Sequence, residues 1–266
     1  MNAFVYLVTL SGFFAQSVTA ALVAYYPMDD IEGRGAQARG PMLTPVNLTP
    51  DDVVPGRFGN AVQFTAFRQT MLERVGDAPV AADRSFGASF WVNADGAQND
   101  LRALAFGSTD NTLPLVLMGT SPTGASGQLR YFIRSDPGGN TATDGLTMAE
   151  PFDRSWHHIA WSNSGSKTSI YIDGVLDTVF EFSGGPTALN TLSIGGIRRV
   201  APSHHITAKI DEVSLWDEPL SEDEIIALSN GVSPVSIPEP SVLIYLAAAL
   251  ACFTAPRRCR SPSPSG

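Results

Sequence analysis

Apolar residues in this chain are grouped in short segments that recur between about residues 21 and 236. Most segments run four to seven residues, are rich in Val, Ile, Phe, Tyr or Trp, and are bounded by Gly, Pro, Asn or Asp. This pattern predicts an all-β fold, an antiparallel two-sheet sandwich or jelly roll. The predicted strands are Leu22–Tyr26, Ala61–Phe64, Phe86–Val92, Leu101–Phe106, Leu113–Met118, Leu129–Ile133, Trp156–Trp161, Ser169–Ile172, Val175–Phe180, Thr191–Ile194 and Ile210–Trp216.

Two turns are indicated in the second half of the chain. The polar residues 162–166 separate the strand Trp156–Trp161 from a strand over Lys167–Ile172 and predict a hairpin. Asp173-Gly174 predicts a second, tighter turn because both residue types accept positive φ. The stretches predicted to be irregular are Gly33–Pro55, Ser121–Thr123 and Asp136–Gly145.

One short helix is predicted after the last strand, separate from an apolar tail helix at the C-terminus. Ser221 is placed to cap its N-terminus, and Glu224 completes a capping box. Leu220 and Ile225 occupy the positions of a hydrophobic staple, and Asn230-Gly231 supplies the stop. We expect the helix to bury its apolar side chains on the sandwich, namely Ile225, Ile226 and Leu228.

The net charge and the positions of the cysteines argue against several functions, namely nucleic-acid binding and cysteine-based chemistry in the body. The 266 residues carry a formal net charge of −9, which argues against a nucleic-acid partner because that binding needs a basic face. Both cysteines, Cys252 and Cys259, lie in the last fifteen residues, so the body has no disulfide, cysteine metal site or cysteine nucleophile. Without the three tail arginines, fourteen basic residues face 26 acidic ones, a charge of −12.

The N-terminus has the pattern of a secretory signal peptide over residues 1–20. Phe4–Phe14 is apolar, and small residues precede a cleavage site after Ala20 or Ala21. The n-region carries no Lys or Arg. The alternative interpretation is a buried first strand in a cytosolic protein.

The C-terminus combines a Pro-Glu-Pro motif, an apolar run and an arginine cluster. Residues 233–240 form a linker that ends in Pro238, Glu239 and Pro240, and residues 241–260 contain the 14-residue run Val242–Ala255. That run is shorter than the roughly 20 residues of a comfortable membrane span. The cluster is Arg257, Arg258 and Arg260, and residues 261–266 form a tail beyond it.

This tripartite order resembles the PEP-CTERM sorting signal of Gram-negative bacteria. The resemblance implies that an exosortase-type membrane protease recognises Pro238-Glu239-Pro240 and removes the tail after a transient stay in the inner membrane. The protein would then be exported to the envelope or the extracellular matrix. The residues after the cluster depart from the usual pattern, and the alternative is a plain C-terminal membrane anchor.

Six segments of the body, taken in order, carry a family pattern. They are Leu22–Asp29, Pro55–Phe64, Phe86–Val92, Trp156–Ala160, Tyr171–Gly174 and Ile210–Trp216, followed by the capped helix. Together they resemble the LamG-like (laminin G, concanavalin A-like) jelly-roll domain. The resemblance covers about residues 23–229 and predicts one domain over residues 21–232. It implies two antiparallel sheets, one concave and one convex, with binding loops at an edge.

Asp29 and Asp211 are the candidate metal ligands. Jelly rolls of the resembled family commonly hold a structural Ca²⁺ between the first and last strands, with acidic side chains and backbone carbonyls as ligands. Asp29 ends the first predicted strand and Asp211 lies in the last one. The alternative is that both carboxylates cap turns or pair with arginine. Calcium sites have no strict sequence spacing, so the pattern does not decide between the two interpretations.

Catalytic residues are not indicated by any motif. Adjacent histidines on a strand face opposite sides, so neither His157-His158 nor His204-His205 can chelate one ion from one face. We interpret Trp156 as a core residue and His158 as packing, while His204-His205 follows Pro202 in a loop without an evident partner. The paired carboxylates of related glucanases are missing from the sequence, which argues against retaining glycosidase chemistry.

The sequence therefore predicts an exported, non-catalytic binding or matrix module. Its partner would be extracellular carbohydrate or another polymer, bound at a sandwich edge or on the concave sheet. Tyr26, Tyr131 and Phe132 are candidate aromatic contacts. The alternatives are a structural envelope protein without a ligand and, with less support, a relative of the glycoside hydrolases.

Overall fold

The computed structural model describes residues 20–80, 85–135, 140–182 and 188–238. Every predicted strand is present within one or a few residues of its expected bounds. The strands in chain order are β1 (Leu22–Tyr26), β2 (Thr44–Val46), β3 (Val53–Pro55), β4 (Asn60–Phe64), β5 (Met71–Val75), β6 (Ser85–Ala94), β7 (Arg102–Gly107), β8 (Leu115–Thr120), β9 (Leu129–Arg134), β10 (Thr141–Leu146), β11 (His157–Ser164), β12 (Lys167–Ile172), β13 (Val175–Glu181), β14 (Thr191–Ile194), β15 (Ile197–Arg198), β16 (Pro202–Ser203) and β17 (Ala208–Trp216).

The strands form two large antiparallel sheets, which confirms the predicted sandwich. Sheet A has the order β13-β12-β11-β6-β17-β4-β3, and β1 also pairs with β17. Sheet B has the order β10-β9-β8-β7-β14-β5-β2. The short strands β15 and β16 form a separate two-stranded ribbon. Non-consecutive strands are neighbours in both sheets, so residues far apart in sequence share one face.

The core lies between the two sheets and is built from alternate residues of each strand. On β9, for example, Leu129, Tyr131 and Ile133 are buried while the residues between them are half-buried. Trp161 is at the centre and makes edge contacts with the rings of Phe86 and Tyr131, at centroid distances of 4.6 and 4.9 Å. Such aromatic contacts add to the free energy of burying the rings.

The stretches predicted to be irregular contain regular elements. The range Gly33–Pro55 holds β2, β3 and a 3-10 turn over Pro50–Asp52, and β10 begins inside Asp136–Gly145. Strand β5 was not predicted because Glu73 and Arg74 interrupt its apolar pattern. Glu73 is buried because Arg198 lies beside its carboxylate at 3.4 Å.

The turn predicted at Asp173-Gly174 is confirmed, with φ of 52° and 81° at its two residues. The hairpin predicted before it is also present, but its turn is shorter than expected. Strand β11 continues to Ser164, which pairs with Ser85 on β6, and only residues 165–166 connect to β12. Pairing with the neighbouring strand extends β11 through polar residues that the sequence pattern assigned to a loop.

Helix α1 (Glu222–Ser229) follows β17 with the predicted capping box. Ser221 Oγ accepts the backbone N–H of Glu224, and the Glu224 carboxylate accepts the backbone N–H of Ser221 at 2.7 Å. Ile225 and Leu228 are buried as expected, but the prediction for Ile226 was wrong, since its side chain is 41% exposed. Ile226 lies on the side of the helix that faces away from the sheet.

Helix α1 covers part of the outer face of sheet A. A second apolar cluster forms there, separate from the core between the sheets. Its central residue is Trp216, which is fully buried and donates its ring N–H to Ser214 Oγ at 3.0 Å. We call this cluster the covered face; it consists of Ala20, Ala160, Trp216, Leu220, Ile225, Leu228 and Ile237.

The two terminal sorting predictions fall mostly outside the described residues. The predicted signal peptide lies before residue 20, and Glu239, Pro240, the apolar run and the cluster Arg257, Arg258 and Arg260 lie beyond residue 238. Pro238 is described and exposed. Within the ranges that the structure describes, no helix is long and apolar enough to cross a membrane.

Candidate functional site

The two residues predicted to bind a metal come together around the turn that joins β3 and β4. Strands β1 and β17 are paired neighbours, as expected for the first and last long strands. Asp211 on β17 accepts hydrogen bonds at Oδ2 from the backbone N–H groups of Arg57 and Phe58, at 2.8 and 2.9 Å. Asp29 accepts one at Oδ1 from the backbone N–H of Asn60, at 3.1 Å. Both carboxylates therefore hold the same turn.

The turn needs glycine where the carboxylates approach it. A Cβ atom at Gly56 would lie 2.6 Å from Asp211 Oδ2, and one at Gly59 would lie 2.9 Å from Asp29 Oδ1. Gly59 also has a φ of 57°. Glycine at both positions lets the backbone amides reach the carboxylates, since a larger residue would push them apart.

The carboxyl group of Asp211 is buried, and only one of its two oxygens accepts hydrogen bonds from the turn. Burial raises the pKa of its carboxyl to about 7, although the backbone N–H of Phe58 acts in the opposite direction. The charge of Glu212 raises this pKa further. Asp211 Oδ1 is buried and has no hydrogen-bond partner among the residues that the structure describes. A buried oxygen without a donor is costly, and a cation at Oδ1 would remove that cost.

The carboxylate oxygens of Asp29 and Asp211 could hold a calcium ion only if backbone carbonyl oxygens supplied further ligands. Ca²⁺ takes six to eight oxygen ligands. Asp211 Oδ1 is available, and Glu212 is close enough to Asp29 for the charge of Asp29 to raise its pKa, although burial is the larger cause. Among the described residues, no group of three or more His, Cys, Asp or Glu is arranged to hold a metal. Calcium binding by Asp29 and Asp211 stays a prediction.

A second candidate site lies on the outer face of sheet B. Because Leu129, Tyr131 and Ile133 point into the core, the alternate residues of β9 point outward. Strand β7 contributes one further arginine to this face and the β15–β16 ribbon contributes two. We call this surface the arginine face; it consists of Arg102, Arg130, Phe132, Arg134, Arg198 and Arg199.

Asp100 pairs with two of these arginines. Its Oδ1 accepts hydrogen bonds from Arg102 and Arg130, at 2.8 and 2.7 Å. Burial opposes ionisation, but the hydrogen bond from Arg102 and the charge of Arg130 hold the pKa of Asp100 below its usual value. Arg130 also makes a two-pronged contact with Asp144, at 2.7 and 2.8 Å. These two arginines therefore have compensating carboxylates.

Arg134 and Arg199 are bonded differently. Both donate to the backbone carbonyl of Thr112, Arg134 from Nη2 at 2.7 Å and Arg199 from Nη1 at 3.3 Å. Arg134 Nε donates to the carbonyl of Leu113, and Arg199 Nη2 donates to Ser203 Oγ. In the described part of the chain, neither guanidinium forms an ion pair with a carboxylate.

The aromatic residues predicted to contact sugars are placed differently from one another. Tyr26 and Tyr131 are fully buried, so those two predictions were wrong. Phe132 is half-buried on the arginine face, with the Arg130 guanidinium 4.6 Å from its ring centroid. The reason is the period of two along β9: adjacent residues face opposite sides, and the sequence did not show which side was the core.

The histidines and Trp156 also differ in part from expectation. His158 is buried as predicted, and burial lowers its pKa to about 4. Trp156 is only half-buried and precedes the first residue of β11, whereas the core tryptophan of this strand is Trp161. His204 does have partners, since its Nδ1 lies 2.9 Å from Ser203 Oγ and its Nε2 lies 3.6 Å from Asp100.

A polar cleft lies on the outer face of sheet A, away from the covered face. Its volume is about 310 Å³, and it is open to solvent. Gln63, Lys209 and Asn93 line it from three adjacent strands, where they are directly paired. Arg154 and Asp95 complete its rim, with Arg154 Nε 3.4 Å from Asp95. No aromatic ring lines this cleft among the residues described.

The two sheets, the crossed strand order and the capped helix define a jelly-roll sandwich of the lectin type. A family model for the concanavalin A-like lectin/glucanases superfamily (Laminin_G_3) matches residues 72–226, more than half of the chain. The chain belongs to this superfamily. The segments Leu22–Asp29 and Pro55–Phe64, which also carried the sequence resemblance, lie before the matched range but within the same sandwich.

Solved structures share the fold at low sequence identity. Domain 4 of AbnA, a GH43 extracellular arabinanase from Geobacillus stearothermophilus solved in complex with arabinotriose, is 18% identical with a TM-score of 0.53; the match covers 79% of this chain and 99% of that one. The binding domain of Paraclostridial Mosquitocidal Protein 1 is 14% identical with a TM-score of 0.58, over 79% and 52% of the two chains.

The botulinum neurotoxin serotype D binding domain is a third similar structure. It is 11% identical with a TM-score of 0.56, and the match covers 79% of this chain and 51% of that one. The chain thus spans about half the length of both toxin domains. A comparison with curated protein sequences gave no match.

Proposed function

We propose that this chain is an exported, non-catalytic module that binds extracellular carbohydrate or a related polymer. The arginine face is the observation that carries the proposal. Its guanidinium groups are fixed hydrogen-bond donors, and the half-buried Phe132 lies beside them, with the Arg130 guanidinium over its ring and a small apolar cluster packed against it. Binding sites combine apolar and aromatic surface with a few well-placed polar groups. Paired strands hold both kinds of group rigidly, which lowers the entropy lost on binding.

The relatives support a binding role for this fold. Domain 4 of the arabinanase was solved with arabinotriose, and two of the toxin structures are described as binding domains. These proteins share the sandwich with this chain at low identity, so they support the class of function and not a particular ligand. The ligand therefore has to be argued from this chain's own residues.

The acidic side chains around the arginine face favour binding over hydrolysis. Asp100 accepts hydrogen bonds from Arg102 and Arg130, and these arginines hold its pKa below the usual value, so it is a poor proton donor. Retaining hydrolysis needs one protonated and one ionised carboxyl group about 5 Å apart across the substrate bond. A glycosidase remains the weaker alternative, and release of reducing sugar from a polysaccharide would establish it.

Export and sorting form the second part of the proposal. The predicted cleavage site lies directly before β1, and the Ala21 backbone nitrogen donates to Asp217 at 2.7 Å. Removal of residues 1–20 would therefore leave the first strand intact, while the covered face would lose its buried member Ala20. We propose that an exosortase-type protease then acts at Pro238-Glu239-Pro240 in a Gram-negative envelope, and that Asp29 and Asp211 hold a structural Ca²⁺ with backbone carbonyls.

A polysaccharide array tests the binding proposal directly. We expect reproducible binding of the body, residues 21–238, to at least one acidic or neutral polysaccharide, and weaker binding by Phe132→Ala. Phe67→Ala is the matched control, because Phe67 is 95% exposed in the loop between β4 and β5. A blank array with the folded protein would contradict the proposal and favour the structural envelope protein.

A further inference from the structure

We propose that Arg134 and Arg199 form an anion site for the carboxylate groups of an acidic polysaccharide. This inference rests on the proposed function and names the ligand class for the arginine face. It predicts a polymer of uronate type, with carboxylates along the chain, in preference to a neutral glycan. The geometry around the Thr112 carbonyl carries it.

The first step is the convergence of two like charges. Both guanidiniums donate to the single carbonyl oxygen of Thr112, at 2.7 and 3.3 Å. Burial lowers the pKa of both arginines, and the charge of Arg199 also lowers the pKa of Arg134. Two cations held at one neutral oxygen repel each other, and the attraction of a nearby anion for both would offset this repulsion.

The second step is that no carboxylate among the described residues balances the charges of Arg134 and Arg199. Arg102 and Arg130 share Asp100, Arg130 also holds Asp144, and Arg198 faces Glu73. Among the described residues, Arg134 and Arg199 have no carboxylate at ion-pair distance; the charge of Asp100 reaches Arg199 only as a longer-range effect. The protein as a whole is acidic, with a net charge of −9. Within the described ranges, two neighbouring arginines without a carboxylate at ion-pair distance are therefore an exception to this average charge.

The third step is the number of unused donors. A guanidinium has five N–H groups in a fixed fork. The hydrogen bonds described above engage Nε and Nη2 of Arg134 and both Nη atoms of Arg199. Among the described residues this leaves Arg134 Nη1 and the second N–H of each engaged Nη atom for a ligand, whereas Arg199 Nε is buried and does not reach one. Both side chains are half-buried, so they stay accessible while the sheet and the ribbon hold them. A planar carboxylate matches this fork with two parallel hydrogen bonds.

The fourth step is the continuity with the rest of the face. Arg130, Phe132 and Arg134 are alternate residues of β9, so they stand in one row about 13 Å long. A polymer along this row would place a sugar ring near Phe132 and a carboxylate at the Arg134 end. This arrangement explains why the inferred ligand is a polymer and not a free ion.

Calorimetric titration with defined polymers tests the inference. The probes are polygalacturonate as the carboxylated polymer, dextran sulfate as the sulfated one and arabinan as the neutral one. The variants are Arg134→Gln and Arg199→Gln, and the matched control is Arg154→Gln, whose side chain is 75% exposed at the cleft of sheet A. Unfolding midpoints measured alongside show that each variant is folded. Arg134→Lys keeps the charge and removes the fork, which separates geometry from charge.

We expect polygalacturonate to bind at least tenfold more weakly to Arg134→Gln and Arg199→Gln, and to bind Arg154→Gln within twofold of the unchanged protein. Arg134→Lys should recover part of the affinity, and added salt should weaken binding. Equal affinity of all folded variants for polygalacturonate would overturn the inference. Variant-dependent binding of dextran sulfate alone would overturn the carboxylate assignment. Binding of arabinan alone would overturn the inference but support the proposed function, and binding of no polymer would overturn both.

Discussion

The outer faces of the two sheets differ in what covers them. On sheet A, helix α1 seals Trp216 under an apolar layer, and the helix itself is closed by a complete capping box. On sheet B, a smaller buried cluster is formed by Ala105, Leu115, Leu117 and Ile197. The rest of this outer surface is lined by arginines, three of them with a buried Nε atom that has no partner among the described residues. Burial of apolar area stabilises a fold, whereas buried ion pairs contribute little net stability. We therefore expect the covered face to contribute more to the stability of the sandwich, and we propose that the arginine face serves recognition.

Truncation of Trp216 should cause the largest loss of stability among the substitutions considered, because the covered face is expected to be the structural one. Trp216→Ala removes a fully buried ring from the covered face, and we expect the free energy of unfolding to fall by about 3–5 kcal/mol. Denaturant unfolding measures this loss. Phe132→Ala on the arginine face is the control, and a similar loss there would show that both faces are structural.

A buried histidine on sheet A should make stability depend on pH. His158 has a folded pKa of about 4 against 6.5 when unperturbed, because burial disfavours its charged form. Between these values the unfolded chain binds more protons, so stability is complete above pH 6.5 and falls as the pH drops towards 4. The loss attributable to His158 is about 3 kcal/mol.

Unfolding in urea at pH 4.5 and pH 7 checks this effect. His158→Phe should be less sensitive to the change of pH than the unchanged protein. His204→Gln is the comparison on the arginine face, where the histidine is half-buried beside Asp100, and it should retain most of the pH dependence. Identical pH profiles for His158→Phe and the unchanged protein would contradict the assignment.

Calcium should stabilise the turn between β3 and β4 if Asp29 and Asp211 bind it. At a concentration one hundred times the dissociation constant, a bound ion adds about 2.7 kcal/mol to the free energy of unfolding. The melting temperature should therefore rise in millimolar Ca²⁺, and Asp29→Ala should lose that response. Asp51→Ala is the control because Asp51 is exposed. An unchanged melting temperature, or an equal response in Asp29→Ala, would contradict calcium binding by Asp29 and Asp211.

Removal of the helix cap should have the smallest effect of this series. Ser221→Ala leaves the backbone N–H of Glu224 without its acceptor, and we expect a loss of about 1 kcal/mol. Denaturant unfolding checks this value. Ser229→Ala, near the other end of the same helix, is the matched control. A loss as large as that from Trp216→Ala would mean that the helix is needed for the sandwich to form.

The elements that could be predicted from sequence are those with local signals. The capping box at Ser221 and Glu224 placed the helix because both partners lie within one turn of chain. Alternation of apolar residues placed most strands. Strand β5 had no such signal, because its buried Glu73 is paired with Arg198, 125 residues away. A long-range ion pair leaves no trace in a local pattern.

The arginine face could not be predicted for the same reason. Its arginines lie at positions 102, 130, 134, 198 and 199, and only the strand order β9-β8-β7 and the β15–β16 ribbon bring them together. The sequence indicated Phe132 together with Tyr26 and Tyr131 but could not separate the outward residue from the buried ones. Asp29 and Asp211 were easier, since neighbouring first and last strands follow from the family resemblance.

Mapping the bound polymer on the protein shows whether the arginine face is the binding surface. Amide chemical shifts of the ¹⁵N-labelled body would be followed by NMR during titration with a short oligogalacturonate. We predict that the largest shifts occur in β7, β9 and residues 197–204, with little change at the covered face. Shifts confined to the polar cleft around Gln63, Asn93 and Lys209, or no shifts at all, would contradict the claim that the arginine face is the binding surface.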